Sequence, residues 1–231
     1  MATKNVPAAQ AVAKEPVTAY RQLDHHVLEV LEMAGTEVLP ANQAWQEYAW
    51  THQYFEQEPE EGYFIWIKEQ PSCAFLSCIS LDQANTKQQL NNLVVIEAGL
   101  DVDMSGSCET ASLLTNSQNR SHQARGKLVL RPGSSLYYQH LHDWAESDQI
   151  STNYDFILEE GASLDYIYKV SHAGQAMQLT ANFYLAAKAK SDFKVLADSQ
   201  NVKMTLHDTA YLQGKDAQAI STLRIIGRYN N

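Results

Sequence analysis

Apolar side chains change their spacing along this chain, and each spacing predicts a different element. From Asp24 onward, Leu23, Val27, Leu28 and Leu31 recur at intervals of three and four, which predicts a helix, with Gly35 as its C-terminal stop. Asn42 is placed to cap a second helix running through Tyr54, whose Trp45, Tyr48, Ala49 and Phe55 make an aromatic stripe of the kind that packs in a core. An acidic stretch from Glu56 to Glu61 follows. Gly62–Ile67 (GYFIWI) is then dense in β-formers and ends near Pro71, which predicts a strand. From Leu93 onward the chain consists of short β-rich runs broken by Gly, Asn, Asp or Ser.

Those runs repeat. The last apolar residue before a turn falls at Leu130, Leu158, Leu185 and Leu212, giving steps of 28, 27 and 27 residues. Two residues earlier stands Leu128, Phe156, Phe183 or Ala210, and eight residues later Tyr138, Tyr166, Phe193 or Ile220. An earlier copy fits with Ile96, Val94 and Met104, but its step of 34 to the next copy requires an extra loop. A unit of strand, tight turn and strand with constant inward positions predicts a solenoid of stacked β-coils, because one coil alone cannot cover its apolar face. A sandwich or jelly roll is the competing all-β reading. Gly99, Gly133 and Gly161 are turn formers, each alone between strands with no helix start beside it.

Composition narrows the classes. The 231 residues suffice for one large core, with residues 1–19 as a disordered Ala- and Pro-containing tail, 20–90 as an N-terminal helical and strand region and 91–231 as the β-helix core. Seventeen Lys and Arg stand against 27 Asp and Glu, a net charge of -10 with no basic run, so nucleic acid is not expected as a partner. Three cysteines, Cys73, Cys78 and Cys108, do not make a disulfide framework and point to a reducing compartment, the cytoplasm. No signal-peptide core and no apolar run of the roughly 20 residues a membrane span needs is found.

Residues 43–228 resemble the SufB/SufD family of iron–sulfur cluster assembly proteins, in particular its shorter SufB-like forms. QAWQEYAWTHQYF with GYFIWI is similar to that family's N-terminal helix and following strand. NNLVVIEAGLDVDMSGSCETAS is similar to its first coils, RSHQARGKLVLRPGSSLYYQHLHDW to the next unit, and DFILEEGASLDY and AISTLRIIGR to later ones. The resemblance implies a mainly β fold, a right-handed parallel β-helix preceded by a small N-terminal α/β region. It also implies pairing with a SufB/SufD paralogue or as a homodimer, service by a SufC-like ABC-type ATPase, and persulfide sulfur from a cysteine desulfurase system. The expected function is a scaffold or partner subunit, not an enzyme, with a transient iron–sulfur cluster as its cofactor.

By that resemblance Cys108, in an inserted loop of the first coils, is the sulfur-accepting or cluster residue, since a thiolate is both nucleophile and soft ligand. Glu109 directly after it departs from the family pattern and should hinder thiolate formation. His122 and His142 match family histidines. His140 and His142 point to one face of a strand, where they either share a metal ion or are polar residues facing solvent or a hydrogen-bond partner. His207 is a distant candidate. Cys73 and Cys78, with four residues between them and no second pair, are read as core residues beside the apolar Ala74–Leu76. Longer family members continue past the point matching Gly227–Asn231 into a cluster-associated Cys or His and an ATPase-docking helical end, and neither is in this sequence. The alternatives are a carbohydrate-active β-helix enzyme, which needs carboxylates at a shared register that Asp155, Glu159, Asp165 and Asp192 do not show, and a degenerate structural partner.

Overall fold

A computed structural model of the chain describes residues 16–111, 119–200 and 203–228. Its N-terminal region holds β1 (Pro16–Leu23), β2 (His26–Val30), β3 (Thr36–Pro40), α1 (Ala41–Glu47), α2 (His52–Phe55) and β4 (Tyr63–Ile67). The rest is strand after strand: β5 (Ala74–Leu81), β6 (Lys87–Ile96), β7 (Asp101–Thr110), β8 (Ser121–Leu130) and β9 (Ser135–Trp144), then β10 (Gln149–Leu158), β11 (Ser163–Ala173), β12 (Ala176–Leu185), β13 (Lys190–Gln200), β14 (Lys203–Leu212) and β15 (Gln218–Arg228). Consecutive strands alternate between two sheets, in the orders β15-β13-β11-β9-β7-β5-β1-β2 and β14-β12-β10-β8-β6-β4-β3. From β5 to β15 every pairing is parallel, so the chain winds as a parallel β-solenoid of about five turns. A sandwich or jelly roll, built from antiparallel strands, is excluded.

The predicted columns exist. Ile96, Leu130, Leu158, Leu185 and Leu212 are successive partners in one sheet, and Val94, Leu128, Phe156, Phe183 and Ala210 form the column beside them. In the other sheet Met104, Tyr138, Tyr166 and Phe193 are in register, and the Tyr138, Tyr166 and Phe193 rings stack at 5.2 Å. Strict alternation sends one set of side chains inward and the other outward, so the inward set of both sheets forms a single core. The column fails at one place. Ser221, not Ile220, pairs with Phe193, because the turn before β15 is one residue longer than its counterparts. Gly99, Gly133 and Gly161 sit at φ of +72°, +67° and +70° in equivalent tight turns, a conformation open to glycine without strain.

Tertiary pairing overrides local periodicity near the N-terminus. The stretch predicted as a helix from Asp24 is the antiparallel β1–β2 hairpin, whose β1 pairs in parallel with β5 and buries Ala19 and Tyr20. Val27 and Leu28, expected to face a core, are 42% and 53% exposed on the edge strand. Residues 16–19, assigned to the tail, belong to β1, while 1–15 lie outside the described residues. The second helix is two short pieces separated by a single 3₁₀ turn at Ala49–Thr51, and Pro40, not Asn42, precedes its first residue. These pieces lay Trp45, Tyr48, Trp50, Tyr54 and Phe55 over the outward Phe64, Leu93, Val95 and Val129.

Candidate metal and sulfur site

The interior of the solenoid is not uniform. Where β6, β8 and β10 end, the inward residues are aliphatic or Phe; where the same strands begin they include Gln88, His122 and Thr152, and across from them stand Cys108, His140, His142 and Trp144. Cys108 is not in a loop as expected. It is the eighth residue of β7, at the same parity as Val102 and Met104, and therefore points inward and is buried. Parallel pairing sets it directly beside His142 of β9. His140, two residues earlier on β9, shares the inward face, so the reading that places it and His142 toward solvent is corrected.

One donor atom from each of Cys108, His140 and His142 lies within 4.8 Å of the other two. The Cys108 Sγ is 3.3 Å from His140 Nε2, and the opposite nitrogen of that ring, Nδ1, is 3.3 Å from the Tyr166 hydroxyl. Burial raises the Cys108 thiol well above its ordinary value, and the neighbouring Cys78 and Glu109 add to this in that order. The expectation that Glu109 opposes thiolate formation holds, but desolvation is the larger cause. Burial lowers His140 to about 3 and His142 well below its ordinary value, so both rings are neutral, the form in which imidazole binds metal. Neutral His140 is therefore flanked by the Cys108 sulfur at one ring nitrogen and the Tyr166 hydroxyl at the other, one of the two nitrogens carrying the ring proton. Gly106 and Gly126 make room for this furniture: a Cβ on the first would stand 2.7 Å from the Tyr138 hydroxyl, and on the second 2.5 Å from the Tyr154 ring.

His122 stands beside this group rather than in it. Its ring lies 4.9 Å from that of Trp144, and its Nδ1 is 2.7 Å from Gln88 Oε1. The Gln88 amide donates to the Asp24 carbonyl, so its oxygen faces His122 and receives the Nδ1–H. The Trp144 indole N–H donates to His142 Nδ1 at 3.1 Å. His122 Nε2 and His142 Nε2 are both buried and have no hydrogen-bond partner among the described residues. Further toward the same turn, Arg120 and Asp148 form a fully buried ion pair at 3.0 Å, with Thr110 also donating to the Asp148 carboxylate.

Other expected residues lie elsewhere. His207 is exposed, paired with Thr180 on the outer face, and remote in register from Cys108. Cys73 is half-buried against Met33 Sδ at 3.9 Å, and Cys78 alternates outward on β5, so it is not a core residue. Asp165 and Asp192 do share a register, contrary to expectation, as direct neighbours on the outer face of β11 and β13. Lys194 Nζ lies 2.9 Å from a carboxylate oxygen of each, which makes the trio a surface ion-pair cluster. Sequence reasoning missed Trp144, Gln88 and Tyr166 as partners of the site. The signal was present, since all three fall on inward positions once Leu130 and Tyr138 fix the alternation. Among the described residues no helix is long and apolar enough to cross a membrane. No family model matches the chain, and no curated protein matches it either.

Proposed function

We propose that this protein is a scaffold or partner subunit in iron–sulfur cluster assembly, similar in role to SufB/SufD, which receives sulfur or a nascent cluster at Cys108 with His140 and His142 beside it. The observation that carries the reading is the convergence of one thiol and two neutral imidazoles inside a parallel β-solenoid. These donors fit soft metal cargo. A thiol and two imidazoles suit iron, zinc or copper, and the Sγ to Nε2 separation of 3.3 Å is close to the roughly 3.5 Å expected between two ligands of one tetrahedral ion. The buried His142 Nε2 is a polar atom with no hydrogen-bond partner among the described residues.

The protein's own contribution is to exclude water, hold the rings neutral and present a thiol that becomes a thiolate only when a cation takes the place of its proton. Cys108 is the cluster-ligating residue in this reading, and no catalytic residue is assigned. The partners in this reading are a SufC-like ATPase, a SufB/SufD paralogue or a second copy of the chain, and a cysteine desulfurase system, in the cytoplasm. Anaerobic reconstitution with ferrous iron and sulfide tests it. Wild-type protein should gain a visible-absorbing chromophore that Cys108→Ala lacks, and equal absorbance in both would refute the assignment.

A further inference from the structure

The two unpartnered nitrogens near Trp144 are of opposite kind. An indole N–H is a donor only, so His142 Nδ1, which it reaches at 3.1 Å, must be a lone pair, and the neutral ring carries its proton on Nε2. That Nε2–H is buried with no acceptor among the described residues. His122 is the reverse: its Nδ1–H is held by Gln88, so its buried Nε2 is a bare lone pair with no donor. The Trp144 ring is close to both, at 6.0 Å from the His142 centroid and 4.9 Å from that of His122.

A metal ion at Cys108 and His140 can use His142 in two ways, and Trp144 opposes each. Ligation through Nδ1 displaces the indole N–H from the lone pair it occupies. Ligation through Nε2 requires the proton to move to Nδ1, where it would confront the indole N–H at 3.1 Å, donor against donor. A ligating histidine normally hands its other N–H to an acceptor, and the Tyr166 oxygen stands at that place for His140. His142 has a donor in that place.

We propose that Trp144 is a positioning residue that weakens this metal site by holding His142 in the wrong tautomer. The inference rests on the cargo reading above and gives it a release device. Bound metal is held by one fewer good ligand than the donor set offers, which keeps it exchangeable, as a carrier requires. Loss of the indole N–H therefore tightens binding.

The test uses full-length protein under reducing, anaerobic conditions with Co(II) as probe, its affinity read by competition with a chromophoric chelator and its environment by the thiolate-to-cobalt absorption. Trp144→Phe should bind Co(II) roughly fivefold to tenfold tighter than wild type, the worth of about one hydrogen bond. Histidine ¹⁵N spectra supply a readout that packing alone would not move: metal-free His142 should show protonated Nε2 and bare Nδ1 in wild type and a tautomer mixture in Trp144→Phe. Unchanged or weaker Co(II) binding by folded Trp144→Phe overturns the proposal while leaving the cargo site standing. If Cys108→Ala binds Co(II) as wild type does, the donor set itself is wrong and both readings fall. Should Trp144→Phe not fold, the wild-type spectrum decides, since protonated Nδ1 in the metal-free state overturns the tautomer assignment.

Discussion

The two halves of each coil share one backbone and differ in chemistry. Toward the turns that carry Gly99, Gly133 and Gly161, the core is a ladder of Leu, Ile, Val and Phe, with Phe156 and Phe183 stacked at 4.9 Å. Toward the opposite turns it holds Cys108, three histidines, Gln88, Thr152 and the Arg120–Asp148 pair. The parallel ladder of hydrogen bonds is the same in both. What differs is how much stability side-chain burial adds, and the difference teaches that the apolar half specifies the stack while the polar half is free to hold reactive groups. A fold built only from the second kind of rung would gain little from burial, because each buried polar atom must first recover its lost hydration.

The sharpest way to break the comparison is to remove one residue of each kind. Phe156→Ala, in the apolar ladder, should cost about 3–5 kcal/mol, whereas Cys108→Ala, equally deep, should cost about 1 kcal/mol, as measured by urea unfolding at pH 7. Similar losses would mean that the polar half is as important to stability as the apolar one.

Mild acid should act first on the polar half. His122 and His140 titrate near 3 when folded and near 6.5 when unfolded, so the unfolded chain takes up protons first as pH falls. Stability is unaffected above about pH 6.5 and declines below it, by up to about 1.4 kcal/mol per pH unit for each such histidine. Urea midpoints at pH 7.0 and 5.5 should therefore separate, and His122→Gln should narrow the gap. A gap of the same size in that variant would show that His122 is protonated in the fold.

The smallest effect expected is a gain. Lys188 occupies, at φ +59°, the turn position that Gly161 fills one coil earlier. Lys188→Gly should raise stability by about 1 kcal/mol through relief of left-handed strain, partly offset by the greater freedom of glycine when unfolded. A destabilised variant would show that the Lys188–Glu160 ion pair outweighs the strain.

The solenoid was legible because its signal is repeated: Leu130, Leu158, Leu185 and Leu212 recur at nearly constant steps, and each copy corroborates the next. Leu23, Val27, Leu28 and Leu31 carried no such redundancy, and a helical spacing over a few residues lost to parallel pairing with β5. The site was half legible. Cys108, His140 and His142 were identifiable one by one, but only register brings Cys108 of β7 beside His142 of β9, 34 positions further along the chain. Trp144 as a competitor for His142 was not readable, since hydrogen-bond direction at a ring nitrogen leaves no trace in residue order. Ile220 failed for a simpler reason, one extra residue in a turn.

The segment joining β7 to β8 is where the coil period stretches from 28 to 34, yet Cys108 and His142 remain neighbours. Natural length variation there should be forgiven, since residues gained or lost between the strands leave the thiol's address unchanged. One residue inserted between Asp101 and Cys108 is another matter. It would turn the sulfur through the sheet to the outer surface and bring Ser107 in to face the histidines.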